Sequence, residues 1–236
     1  MLMGRILLTA LLLLGFAAST VRAAPLLAMR VYEDGNLVDS ASSGTGILNL
    51  TGTTPSGLFS YTLLANGVPL LAEPSLTAAT INLSSLSGFS GTHSLSFEFT
   101  QTGLSSMSEP GGGLLTKLAN SFTANFLGLS DLVSSVTLSS YIDAANAAFA
   151  QTTQMATHTF LNNGANASPT IIVDAGLMPD TLFSETIVIT ATFTGGGASL
   201  VTSSQIVAVP EPASLVLFGT AMLGLGLTRR IRRPVV

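Results

Sequence analysis

Apolar and polar residues alternate along most of the chain between residues 24 and 208, the period of two that puts one set of side chains on each face of an extended strand. In HSLSFEFTQT (93–102), Leu95, Phe97 and Phe99 share one face, and Ser94, Ser96 and Glu98 share the other. Ile47, Asn49 and Thr51 stand opposite Leu48 and Leu50, and Tyr61-Thr62-Leu63-Leu64 follows as a second extended run. TAATINLSSL (77–86), ETIVITATFT (185–194) and ASLVTSSQIVAVP (198–210) read as further strands. Turn signals separate them. Asp34-Gly35 and Asn66-Gly67 supply the positive φ of tight turns, EPGGG (109–113) marks a loop, and Gly195-Gly196-Gly197 closes the cleanest strand.

The centre of the chain carries a mixed signal. Leu115, Leu118, Phe122 and Phe126 recur at helical spacing, yet SFTANF (121–126) and SSVTLSSYID (134–143) are good strand sequences. DAANAAFAQTTQ (143–154) is the best candidate for a helical turn. Strands at roughly 8–12-residue spacing with turns between them predict a mainly β chain, an antiparallel sandwich with one or two short helices.

Both ends break this pattern. Arg5 precedes Ile6–Ala18, an apolar run of 13 residues. As a helix it spans about 20 Å, too short for a bilayer core of about 30 Å. Val21-Arg22-Ala23 offers small residues at the two positions a signal peptidase reads. Residues 1–23 are therefore expected to be a signal peptide cleaved after Ala23, with an uncleaved anchor as the alternative. At the other end, Ala213–Thr228 is 16 residues without a charge, about 24 Å as a helix. Begun at Pro210, and with arginines snorkelling beyond it, the run just crosses a membrane. Proline suits a helix's first turn, and Glu211 sits where the helix dipole favours negative charge. Arg229, Arg230, Arg232 and Arg233 stay on the cytoplasmic side and stop the segment. The stretch between, 24–208, then lies across the membrane from the cytoplasm, as the N-terminal segment also requires.

Composition narrows what that stretch can do. Only 8% of residues are charged, against roughly 25% in ordinary domains. Between 24 and 208 the bases are Arg30 and Lys117, while every acid except Glu211 lies there. Nucleic-acid binding needs clustered Lys and Arg, so that class is excluded. The chain has no cysteine, which removes thiol chemistry. Its polar surface is built from Ser, Thr, Asn and Gly, as in secreted adhesive and matrix proteins.

Candidate chemistry is sparse. His93 and His158 are the two imidazoles, each among hydroxyls, and a zinc site would need distant carboxylates. No GxSxG occurs. IIVDAG (171–176) approaches the aspartic-protease signature, but Ala175 replaces the hydroxyl residue and no second copy is present. It reads as a strand ending in a turn. Asp34, Asn36 and Asp39 carry oxygens that suit calcium but lack the loop spacing and closing glutamate. No catalytic residue, metal site or cofactor is assigned. A secreted polysaccharide-active enzyme stays as an alternative, although the absence of Trp and the presence of only 3 Tyr count against a sugar-stacking cleft. A calcium- or carbohydrate-binding module is the other.

Val-Pro-Glu-Pro-Ala-Ser, a short glycine-containing apolar run, and arginines near the chain end together resemble the PEP-CTERM sorting signal of Gram-negative bacteria. The resemblance covers residues 209–233. It implies that exosortase, a membrane transpeptidase, recognises Pro210-Glu211-Pro212, removes the helix, and releases the remainder or re-attaches it at the surface. It also implies company with exopolysaccharide production. YIDAANAAFAQTTQ, HTF and FSETIVITATFTGGG resemble stretches of other PEP-CTERM proteins and bring no active site. The division expected is a signal peptide (1–23), a Ser/Thr-rich sandwich (24–208) of structural or adhesive role, and a sorting signal (209–236). A plain C-terminal membrane anchor is the alternative for the tail. Protein recovered from the envelope should begin at Ala24 by N-terminal sequencing; an intact Met1 would show an uncleaved anchor.

Overall fold

A computed structural model describes residues 25–71, 74–105, 117–162, 170–174 and 182–209. Twelve strands occupy them: β1 (Leu26–Glu33), β2 (Asn36–Ser43), β3 (Ile47–Thr53), β4 (Phe59–Asn66), β5 (Ser75–Ser85), β6 (His93–Ser105), β7 (Lys117–Gly128), β8 (Val133–Asp143), β9 (Thr153–Leu161), β10 (Thr170–Asp174), β11 (Leu182–Phe193) and β12 (Ala198–Ala208). They form two six-stranded antiparallel sheets, one in the order β2-β1-β6-β11-β8-β9 and the other in the order β10-β7-β12-β5-β4-β3. The expected mainly β, sandwich-like architecture is the observed one.

The period-two pattern explains which face each strand buries. Leu95, Phe97 and Phe99 of β6 are fully buried, while Ser94, Ser96 and Glu98 look outward. Ile187, Ile189, Ala191 and Phe193 do the same on β11, as do Ala198, Leu200 and Ile206 on β12. The two inner faces make one core, tied by aromatic contacts between sheets. Phe59 of β4 meets Phe193 of β11 with ring centroids 5.1 Å apart, and Tyr61 of β4 meets Phe97 of β6 at 6.2 Å. Both pairs are edge-to-face, the geometry that the ring quadrupole favours.

Of the two expected tight turns only Asp34-Gly35 forms: Asn66 closes β4, neither it nor Gly67 takes positive φ, and the Gly67 N–H instead bonds the Gly46 carbonyl at 2.8 Å at the start of a longer connection to β5. Asp34 (φ 49°) and Gly35 (φ 79°) both lie in the left-handed region, the two-residue turn whose twist matches that of the strands it joins. At the corner where β11 passes to β12, Gly196 answers a different need. A Cβ there would stand 2.0 Å from the Leu86 carbonyl oxygen, so only glycine lets the two chain segments approach.

The helical readings do not hold. Among the described residues there is no α-helix, only a three-residue 3-10 turn, Ser130–Leu132. Residues 117–128 form β7, paired with β12 on one side and β10 on the other. Leu118 and Phe122 are four apart, a spacing that also returns to the same face of a strand, and both are buried with Ala124. Of residues 143–154, Asp143 ends β8, 144–152 form a folded loop, and Thr153 and Gln154 open β9. The Asp143 carboxylate accepts the Ala147 N–H at 2.8 Å and the Thr152 hydroxyl at 2.9 Å, while Asn146 and Phe149 take positive φ. Local Asp and Asn turn chemistry overrides the helix propensity of the alanines. The proposed signal and membrane helices lie outside the described residues, and no described helix is long and apolar enough to cross a membrane.

Phe59→Ala, which removes an inter-sheet contact, should lower the unfolding free energy by about 3–5 kcal/mol in urea titrations. Thr159→Ala, which breaks only the exposed 2.9 Å hydroxyl pair with Thr137, should cost under about 1 kcal/mol.

Candidate functional site

The sorting segment leaves the fold at the end of β12. This strand runs between β7 and β5, so both its edges are paired. The last ladder partners are Ala208 and Leu118, and one further bond follows, from the Val209 N–H to the Lys117 carbonyl at 3.0 Å. Pro210 has no N–H to continue the ladder. Pro210, Glu211 and Pro212, the arginine cluster at 229, 230, 232 and 233, and the cleavage position after Ala23 lie outside the described residues.

Register places the start of the fold at the same end. Leu26 opens β1 opposite Thr102 of β6, and Ser105 of β6 is opposite Leu182. Ser43, next to Leu27 across β2, joins Ile47 of the second sheet through residues 44–46. Ile47 is opposite Asn66, Thr77 is opposite both Asn66 and Gln205, and β12 finishes one residue beyond Val207, the partner of Ser75. Leu26 and Val209 thus emerge at one end of the sandwich. The Asp34-Gly35 hairpin, the 86–92 connection and the Gly196 corner occupy the other.

The imidazoles and hairpin carboxylates are placed structurally. His93 Nδ1 lies 2.7 Å from Asp34 Oδ2, and Asp34 Oδ1 accepts the Ser94 N–H at 2.7 Å. The Asp34 bond, helped by the Ser90 carbonyl, raises the His93 pKa against a smaller opposing effect of burial. Burial pushes the Asp34 carboxyl up, but the Ser94 and His93 bonds together outweigh it and hold it low. Asp39 accepts the Tyr61 hydroxyl at 2.7 Å and the Ser40 N–H at 2.8 Å. Asn36 donates to the Asp34 carbonyl at 3.4 Å. His158 packs edge-on against Phe160. Among the described residues no group of three or more His, Asp or Glu side chains is arranged to hold a metal ion.

Two arrangements escape a reading of the sequence. On the outer face of the first sheet, the 143–152 loop folds back over the strands. Phe149 lies under the Arg30 guanidinium, 3.9 Å from ring centroid to Cζ, and its N–H reaches the Thr100 hydroxyl at 3.2 Å. Gln151 and Tyr32 donate to the two Glu98 oxygens at 3.0 Å each, and Arg30 stands 3.9 Å from Glu98. Arg30 and Glu98 are direct cross-strand partners, which spacing along one strand cannot reveal. The second arrangement is internal. Glu185 is fully buried on the inner face of β11, and neither carboxylate oxygen has a hydrogen-bond partner. Asn120, Ser140, Thr202 and Ser204 are also buried with unpartnered side chains. Burial pushes the Glu185 carboxyl up to about 8. Its place in the apolar phase of ETIVITATFT is the one signal that could have singled it out.

Residues 208–233 match the PEP-CTERM protein-sorting motif. The chain thus carries a PEP-CTERM sorting motif, which begins where β12 ends. No curated protein matches it in sequence. Among solved structures, the adhesin domain of Epf from Streptococcus pyogenes is similar at a TM-score of 0.40 and 10% identity, over 79% of this chain and 60% of that one. The enzymatically active domain of bacteriophage CBA120 tailspike protein 4 has a TM-score of 0.32 at 11% identity, over 77% of this chain and 19% of that one. TmCBM61, solved with beta-1,4-galactotriose, has a TM-score of 0.32 at 10% identity, over 77% of this chain and 88% of that one. These likenesses are distant, and the architecture rests on the strand pairing itself.

Glu185 generates a pH prediction. Its folded pKa lies above the ordinary value of 4.5, so between 4.5 and about 8 the folded chain holds a proton that the unfolded chain releases. Stability should fall as pH rises through that window. His93, also raised, pulls in the same direction. The difference between the parent and Glu185→Gln, followed as Tm from pH 5 to 9, isolates the carboxyl. The variant's curve should be flatter; parallel curves would show that Glu185 does not titrate there.

Proposed function

We propose that this is an exported surface or extracellular-matrix protein, delivered as an exosortase substrate, whose sandwich has a structural or adhesive role. The motif at 208–233 carries the reading, because it marks export with passage through a membrane-held stage before arrival at the surface. In this reading residues 1–23 are removed by signal peptidase after Ala23, residues 24–208 form the exported domain, and residues 209–236 are the sorting signal. Exosortase acts at Pro210-Glu211-Pro212 while Arg229, Arg230, Arg232 and Arg233 hold the segment in the inner membrane with the sandwich on the periplasmic side. Two features support a non-catalytic role for the sandwich. Its outer face is laid with paired hydroxyls, such as Ser96 with Thr190 at 2.8 Å and Ser139 with Thr157 at 2.8 Å. Its polar clusters are knitted into the fold, as Asp34, Asp39 and Asp143 each are by hydrogen bonds. Exopolysaccharide is the proposed neighbour in the matrix, met by a surface of hydroxyls and amides.

Replacing Pro210 and Pro212 with alanine raises helix propensity and leaves the apolar run and arginines intact. In a strain with exosortase, the double variant should accumulate uncleaved in the inner membrane, heavier than the processed protein by the mass of the tail. Membrane fractionation and intact-mass measurement read the outcome. Processing like the parent's would leave a plain membrane anchor as the better account of the tail. Replacing the four arginines should act earlier, by weakening the retention and orientation of the segment.

A further inference from the structure

The described fold stops very close to the apolar run. Between Val209, held by its bond to Lys117, and Ala213 stand only Pro210, Glu211 and Pro212. Four Cα–Cα steps span at most about 14 Å fully extended. The interfacial layer outside the hydrocarbon core takes about 5–8 Å of that reach. The sandwich itself is longer than the tether, since the 11 residues of β12 extend about 35 Å. Such a tether keeps the end of the fold from which β12 leaves near the lipid.

That end carries exposed apolar side chains. Leu26 is 41% exposed, Ile47 48% and Leu70 53%. Ile47 and Leu70 are brought near each other by close backbone packing. A Cβ on Gly46 would stand 2.9 Å from the Leu70 nitrogen, so the chain just before Ile47 presses against the 67–70 turn. Gly67 donates its N–H to the Gly46 carbonyl at 2.8 Å. Gln101, buried beneath, accepts the Val68 N–H at 2.9 Å and donates to the Val68 carbonyl at 2.8 Å, which fixes the turn on which Leu70 is mounted. Leu26 enters the same end beside Thr102, the neighbour of Gln101.

We propose that, while the tail is in place, the sandwich stands on the bilayer interface through Leu26, Ile47 and Leu70, with the Asp34-Gly35 and 86–92 end pointing away. This rests on the reading of the tail as membrane-held. The tether supplies the hold, and the three side chains lower the cost of the contact by leaving water for the acyl boundary.

The chain has no cysteine, so single-cysteine spin labels can be placed without background. The full chain, prepared without exosortase and reconstituted in phospholipid vesicles, is labelled in turn at Leu70→Cys, Ile47→Cys, Ser87→Cys and Thr159→Cys. Ser87 lies at the opposite end, and Thr159 lies on an outer sheet face. Labels at 70 and 47 should be relaxed preferentially by lipid-soluble oxygen, and those at 87 and 159 by a water-soluble nickel chelate. Nickel access at 70 and 47 equal to that at 87 overturns the proposal. So does protection of 159, which would mean that the sandwich lies on its side. If alkaline carbonate strips the chain from the vesicles, the membrane-held tail fails as well; if the chain stays but positions 70 and 47 are wet, this inference fails alone.

Discussion

Phe59 is the point through which the two sheets hold each other. It projects from β4 against Phe193 of β11, and its ring also meets Phe89 edge-on at 5.3 Å, in the connection that carries the chain from β5 to β6. One side chain therefore joins a strand of each sheet to a crossing between them. The neighbouring corner works by exclusion. Gly196 lets the β11–β12 passage lie against Leu86, while Gly197 donates its N–H to the Ser85 carbonyl at 2.8 Å. With the corners set, β12 enters the middle of the second sheet, and its far end fixes where the sorting segment must leave.

Strand positions were legible because burial in a sandwich is decided one residue at a time. Leu95, Phe97 and Phe99, or Ile187 and Ile189, announce an inner face without any knowledge of their partners. Asp34-Gly35 was equally plain, since its turn depends on two residues alone. The alanines of 143–154 misled because helix propensity is a weak local preference, whereas Asp143 and Asn146 form bonds to Ala147 and Gly103 that outweigh it. The Leu118–Phe122 spacing misled because a repeat of four is common to both periods. Pairwise features stayed hidden. Arg30 and Glu98 are 68 positions apart and face each other only once β1 lies beside β6. The sorting motif was readable throughout because its order and spacing lie within one short continuous stretch.

Glu185 is the exception to the rule by which the core is built. Every other carboxylate with a resolved shift has partners that hold it down, as Ser94 and His93 do for Asp34 and the Ala147 N–H does for Asp143. Glu185 has none and stays neutral by keeping its proton. Asn120, Ser140, Thr202 and Ser204 come from β7, β8 and β12: β8 neighbours β11 in its own sheet, β12 follows it in the other, and β7 pairs with β12. The unpartnered polar side chains are thus gathered on a few adjoining strands, and the aromatic contacts between the sheets lie on β4, β6 and the corner end of β11.

The hydroxyl pairs of the outer face have a consequence for the medium in which the protein works. Thr137 with Thr159, Ser139 with Thr157 and Ser96 with Thr190 are contacts between neutral groups. Attraction between exposed ions is screened by dissolved salt, whereas hydrogen bonds between uncharged hydroxyls have no net charge to screen. Among the described residues only Arg30–Glu98 and His93–Asp34 pair opposite charges. A coat assembled from such units would keep its shape in dilute and in briny water alike, because its surface cohesion hardly registers ionic strength.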